Sequence, residues 1–241
     1  MEEEVQIQDI QIEFTPNNDE SLGDQSIFGG TDADVAVFYS YGTQKHGVIL
    51  IEFKYIESEF SVCSSYREKN GGVKDGIVKK NIRPVCDSPV FYEKLILPYI
   101  ANENKPDSPD CGYLKYNNWQ LLKDSSIFDI EATKKSSYCP FRFSLQQLWR
   151  NLLLAENVSR ARSLEEFQFW VLCPSQNTWL WQERGNKDVE TELRKILTPL
   201  GNNVFSRKDI KTDFVDNLKV LTVEEWQQNW IKKFEERYLT L

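Results

Sequence analysis

With 241 residues, including fourteen Phe, ten Tyr and seven Trp, the chain has material for one sizeable core. Its net charge of −8 is unevenly spread: residues 1–44 hold ten carboxylates and no Lys or Arg, and the chain from Lys45 onward is close to balanced. No apolar run approaches the length of a membrane span, and the acidic start MEEEVQIQD lacks the basic and apolar parts of a signal peptide. A cytoplasmic protein without membrane contact is the expectation. Cys63, Cys86, Cys111, Cys139 and Cys173 are too widely spaced for a zinc knuckle, and their odd number does not suit a disulfide framework. The only histidine, His46, sits in a polar turn, which argues against His-based hydrolase chemistry.

In chain order, residues 1–27 form an acidic N-terminal segment. Within it, Val5 and Ile7, then Ile10, Ile12 and Phe14, suggest a short strand. Residues 28–56 read as a hairpin: a strand from Val35 to Tyr41, the turn GTQKHG, and a strand from Val48 to Ile56. The second strand is apolar on both faces, with Val48, Leu50 and Ile56 on one and Ile49, Ile51, Phe53 and Tyr55 on the other. That pattern predicts a central strand covered on both sides. From Arg67 to Arg83 there are six basic residues, Arg67, Lys69, Lys74, Lys79, Lys80 and Arg83, against two acidic ones. This stretch is a candidate phosphate-contacting segment. NGGVKDG within it reads as a turn, and Ser88-Pro89 opens a helix that runs to Leu97.

A strand is expected near Ser126 to Ile130. The best helix signal is 144–160, where Leu145, Leu148, Trp149, Leu152, Leu153, Ala155 and Val158 make a wide apolar face and Ser144 with Gln147 matches a capping box. FQFWVLC (167–173) reads as a buried strand. Asn186 is expected to cap a helix reaching about Leu197, with Val189, Leu193 and Ile196 inward. A short strand is expected at Leu218 to Leu221. The final helix, 222–240, opens on a Thr222–Glu225 capping box with Val223, Trp226, Trp230, Phe234 and Tyr238 on one side. The spacing of Trp149, Trp170, Trp226 and Trp230 suits a core. Mixed strands and helices without a linker predict one α/β domain over 1–241, built on a mixed central β-sheet with flanking helices.

Three charges interrupt the apolar hairpin: Asp34 at the mouth of the first strand, and Glu52 and Lys54 in the second. Charges are rarely placed in buried strands without a partner or a task. A turn centred on residue 44 sets Asp34 opposite Lys54 and Ala36 opposite Glu52. Opposed residues share a face, so all three charges fall on one side, with Asp34 and Glu52 diagonal neighbours at roughly 7 Å. Two carboxylates at that spacing suit a divalent cation, and all-oxygen ligation favours Mg²⁺ or Mn²⁺ over zinc. The main-chain carbonyl of Phe53 lies between them as a further candidate ligand. A neighbouring lysine suits the positioning of a water or the neutralising of charge in phosphodiester hydrolysis. Asp34 is preferred to Asp32, an Asx-turn candidate, because it abuts the apolar run.

FGGTDADVAVFY followed by GVILIEFKY resembles the active-site hairpin of the PD-(D/E)XK nuclease superfamily, with Asp34 as the acidic residue and Glu52-Phe53-Lys54 as the Glu-x-Lys element. Ala33 stands where the superfamily motif has proline. GGTDAD, IEFKYIES, QLWRNLLLAE and EEWQQNWIKKFEERYL, across residues 28–240, resemble a prokaryotic family of restriction endonucleases. The resemblance implies a restriction-endonuclease-like core and a Mg²⁺-dependent DNA endonuclease of the restriction or genome-defence type. It also implies a Gln near the metal on the later helix, matched by Gln147 or Gln146; for Gln147 the capping box is the rival role. Relatives carry a further acidic residue on an N-terminal helix; no such helix is evident, and Glu20, then Glu13, are the nearest matches. Cutting both DNA strands would call for a homodimer, and a companion defence protein is a further partner to test. Two other functions stay open: a nuclease-fold module that binds DNA or regulates without turnover, and a hydrolase of small phosphodiesters or nucleotides.

Overall fold

The computed structural model describes residues 5–25, 30–61, 73–74, 77–78, 117–135, 139–141, 144–183, 187–221 and 224–238. Five strands make the main sheet: β1 (Val5–Phe14), β2 (Ala33–Tyr41), β3 (Lys45–Phe53), β4 (Glu166–Cys173) and β5 (Phe205–Asp209). They lie in sequence order; β1, β2 and β3 pair antiparallel, while β3, β4 and β5 pair parallel. The result is an α/β fold with a restriction-endonuclease-like core, as the sequence predicts. The central position of β3 follows from its apolar faces, since both its edges are hydrogen-bonded.

Helices α1 (Asn118–Lys123), α2 (Ile130–Lys134) and α3 (Leu145–Arg162) precede β4. Between β4 and β5 come α4 (Val189–Arg194) and α5 (Pro199–Val204). A π-helical turn (Ile210–Val215), α6 (Asp216–Leu221) and α7 (Glu225–Tyr238) follow β5. The larger core lies on one sheet face, where Ala36, Phe38, Val48, Leu50 and Phe169 meet Leu148, Trp149, Leu152 and Ala155 of α3. Trp149 stacks on Phe141 with ring centroids 4.0 Å apart. The smaller core, on the other face, joins Ile51 and Leu172 to Ile210, Val215 and Ile231.

The structure corrects several local expectations. The hairpin turn is Gly42–Gln44, with Gly42 at φ +57°, and Tyr41 pairs with Lys45. The pairing is therefore centred on Thr43, not residue 44. β1 carries a bulge at Gln8, since Ile7 pairs with Tyr39 and Asp9 with Phe38. The extra residue explains why its apolar residues change from odd to even positions. Ser126 to Ile130 is no strand: it holds a single bridge, Phe128 to Leu197, before α2. Asp188 caps α4 through the Thr191 amide at 2.7 Å; Asn186 lies outside the described residues, and Val189, Leu193 and Ile196 are buried as expected. Leu218–Leu221 is helical, part of α6, with Leu218 packed on the smaller core.

On α7 the residue driven into the core is Ile231, whereas Trp226 and Trp230 are 69% and 53% exposed. Phe234 of the same helix packs against the smaller core beside Ile231. Ile56, expected inward, is 80% exposed because the chain leaves the strand after Phe53. Ser144 forms no side-chain cap, so the expected capping box is absent. The helix expected from Ser88 to Leu97 and the cap at Thr222 lie outside the described residues.

Candidate active site

Strand pairing brings two carboxylates level. Asp34 is the second residue of β2 and Glu52 the penultimate residue of β3. The register that joins Val35 to Ile51, continued one step, sets Asp34 opposite Glu52 rather than opposite Lys54. Directly opposed residues hold their Cβ atoms about 4.5–5.5 Å apart, closer than the diagonal spacing the sequence suggested. The shift from the expected register is two residues, an even number, so the three charges still share the face that looks toward α3. Asp34 Oδ2 accepts the amide of Phe53 at 2.6 Å. The Phe53 ring lies on the opposite face, edge-on to Phe214.

Glu52 is buried and receives three donors. Gln147 Nε2 reaches Oε1 at 2.6 Å, Asn151 Nδ2 reaches Oε2 at 2.9 Å, and Lys54 Nζ lies 2.9 Å from Oε1. Gln147 and Asn151 are four residues apart, so α3 presents them from one face, a turn apart. Gln147 Oε1 in turn accepts the Ser61 amide at 3.0 Å, which ties the loop after β3 to the helix. Burial raises the Glu52 acid above its ordinary value and the Asp34 charge adds to this, while the Lys54 ammonium opposes it. Lys54 is itself buried, and its ammonium lies 3.8 Å from Glu57 as well.

These groups border a cavity of about 240 Å³ whose walls include Glu13, Asp32, Asp34, Glu52, Gln147, Arg150 and Asn151. Lys54 pairs with Glu52 and does not border that cavity. Asp32 is exposed and accepts from Gln25. Of the two N-terminal acids, Glu13 reaches the cavity and Glu20 does not. Glu13 does so with a left-handed backbone, φ +54°, which is uncommon outside glycine. Glu20 is buried against Arg162, roughly 22 Å along α3 from Gln147. Gln146 is buried and does not border the cavity. Among the described residues no three His, Cys, Asp or Glu side chains converge as a metal cluster, which leaves the Asp34–Glu52 pair.

Arg67, Lys69, Lys79, Lys80 and Arg83 lie outside the described residues. Lys74 belongs to a two-residue strand, Val73–Lys74, paired with Ile77–Val78. Sequence reading missed Asn151, Arg150 and Asp24. Asn151 had a local signal, its four-residue offset from Gln147; the contact of Arg150 with Asp24 spans too much chain to leave one.

A sheet that is antiparallel on one side and parallel on the other, with an acidic pair near the end of its central strand, defines the restriction-endonuclease-like class. The chain belongs to the family described as restriction endonuclease associating with ARP, whose model matches residues 1–239. No curated protein and no solved structure matches it. Among the described residues no helix is long and apolar enough to cross a membrane.

Proposed function

We propose that this chain is a Mg²⁺- or Mn²⁺-dependent DNA endonuclease of the restriction or genome-defence type. The observation that supports this most is the level pairing of Asp34 and Glu52 over one cavity, with Glu52 held by Lys54, Gln147 and Asn151. The donor set fits a hard divalent ion. It consists of oxygens, two carboxylates match the one or two that Mg²⁺ takes from protein, and three donors leave one of about four acceptor positions on Glu52. Asp34, Glu52 and the main-chain carbonyl of Phe53 would hold the ion. Bound there, it would polarise a phosphodiester and lower the pKa of a water.

The chain's own groups do the rest. Gln147 and Asn151 fix the carboxylate plane of Glu52. Lys54 acts through Glu52, favouring its ionised form from outside the cavity wall. Arg67, Lys69, Lys74, Lys79, Lys80 and Arg83 contact the DNA backbone. One site per chain cuts one strand, so cleavage of a duplex calls for a homodimer. The association with ARP named in the family description supports a companion protein.

The test is cleavage of duplex, single-stranded and RNA substrates with Mg²⁺ or Mn²⁺, by wild type and by Asp34→Ala and Lys54→Ala. Both variants should remain folded and lose cleavage. Full cleavage by both overturns the assignment, and DNA binding by a wild type that hydrolyses nothing favours a module without turnover.

A further inference from the structure

Among the described residues, four carboxylates, Glu13, Asp32, Asp34 and Glu52, border the cavity, against one cationic side chain, Arg150. Arg150 lies between Gln147 and Asn151 in sequence and on the same face of α3. Its guanidinium is held along one edge: Nε donates to Thr31 Oγ1 at 2.7 Å and Nη2 to Asp24 Oδ2 at 2.9 Å. The holders are themselves locked, since Thr31 Oγ1 donates to Asp24 Oδ2 at 2.5 Å, and both residues are buried. A planar guanidinium fixed in this way is oriented before any ligand arrives.

The Asp24 side chain is 3% exposed and the Arg150 side chain 20%, and Arg150 borders the cavity while Asp24 does not. A phosphodiester entering a pocket of carboxylates needs a cation beside it, and arginine is the side chain best matched to phosphate oxygens.

We infer that Arg150 binds a phosphate of the DNA backbone in this cavity. The inference rests on the nuclease reading and adds to it a substrate contact on the helix that carries Gln147 and Asn151. Asp24 aims the guanidinium and offsets part of its charge.

The test is binding without cleavage: fluorescence anisotropy of a short labelled DNA duplex with the full chain, in EDTA, across a series of KCl concentrations. Arg150→Gln should bind several-fold more weakly and reduce the slope of log K against log salt by about one. Arg150→Lys should keep the slope, and Asp24→Asn should bind more tightly because the guanidinium is no longer offset. A folded Arg150→Gln with wild-type affinity and slope overturns the inference. If Arg150→Gln does not fold, Asp24→Asn decides: tighter binding sustains the contact, and unchanged or weaker binding overturns it. A wild type that binds no DNA overturns the nuclease reading together with it.

Discussion

Asp34 is fastened to the strand that carries Glu52, because its Oδ2 accepts the Phe53 amide at 2.6 Å. One carboxylate is thereby positioned by the backbone of the other's strand. Asp34→Asn keeps an acceptor oxygen but loses the charge, whereas Asp34→Ala loses both. Second-layer residues around metals cost about 10–100-fold when removed, so a ligand should cost more. Cleavage is expected to fall more than a hundredfold in both variants, by the same principle. Only Asp34→Ala should also lose stability, by about 1–2 kcal/mol, read by urea unfolding. Equal stability of the two variants would show that the amide bond contributes little.

Gln147 and Asn151 touch Glu52 through different oxygens. Each is expected to act through Glu52, without a ligand role of its own. Gln147→Leu and Asn151→Leu should weaken Mn²⁺ binding by roughly 10–100-fold in calorimetry. Asn151→Leu should cost stability as well, since it leaves a buried carboxylate oxygen short of a donor, by about 1–3 kcal/mol. Unchanged Mn²⁺ affinity in both would remove the two amides from the site.

Much of this site was legible in the sequence because charge inside an apolar strand is a local anomaly. Asp34, Glu52 and Lys54 stood out for that reason, and their common face survived a register error of two residues. The error came from the turn: Gly42 and Gln44 both take positive φ and close it in three residues, where GTQKHG suggested six. Gln147 had two roles in the sequence, cap or site, and only the packing of α3 on β3 separates them. Arg150 and Asp24 are 126 residues apart, so no local pattern could join them. β5, FSRKD, escaped notice because an edge strand with half-buried polar residues shows no alternation. On α7 the apolar spacing favoured Trp226 and Trp230, but the helix turns Ile231 and Phe234 to the smaller core.

The metal-free protein should show opposing acid effects. The Glu52 acid is raised, chiefly by burial, so the folded state holds that proton more tightly than the unfolded state does. Its contribution is greatest with Glu52 protonated and is lost as pH rises through the raised pKa. At Glu20, burial works upward, but the Arg162 guanidinium and the Asn17 amide outweigh it and hold the acid below its ordinary value. At Asp209, burial is likewise outweighed by the Thr212 and Ser175 donors. Those two contribute stability above the ordinary carboxylate range and lose it as pH falls through their lowered values. The melting temperature in EDTA is therefore expected to rise from neutral into weakly acidic pH, then to fall below about pH 4. In Glu52→Gln the acid-side rise should disappear while the fall remains; a rise of unchanged size would assign it to another group.

The bulge at Gln8 makes a separate prediction about β1. It keeps Val5 and Ile7 on the same side as Ile10 and Ile12, opposite Tyr41, Tyr39, Val37 and Val35. All four of these β1 side chains are exposed, Ile12 at 74%, although Ile51 is buried on the same face of the sheet. The face is thus closed over β3 and open over β1. Ile12→Thr is expected to change stability by no more than about 0.5 kcal/mol, and Ile51→Ala to cost about 2–5 kcal/mol. Deleting Gln8 should be tolerated, because it joins Ile7 and Asp9 in an unbroken register and leaves every later side chain on its present face. Deleting Gln11 instead should cost more, because it changes the face of the buried Phe14 relative to the residues before it. Urea unfolding of the variants measures all of this, and a Gln8 deletion as damaging as the Gln11 deletion would mean that the bulge itself is required.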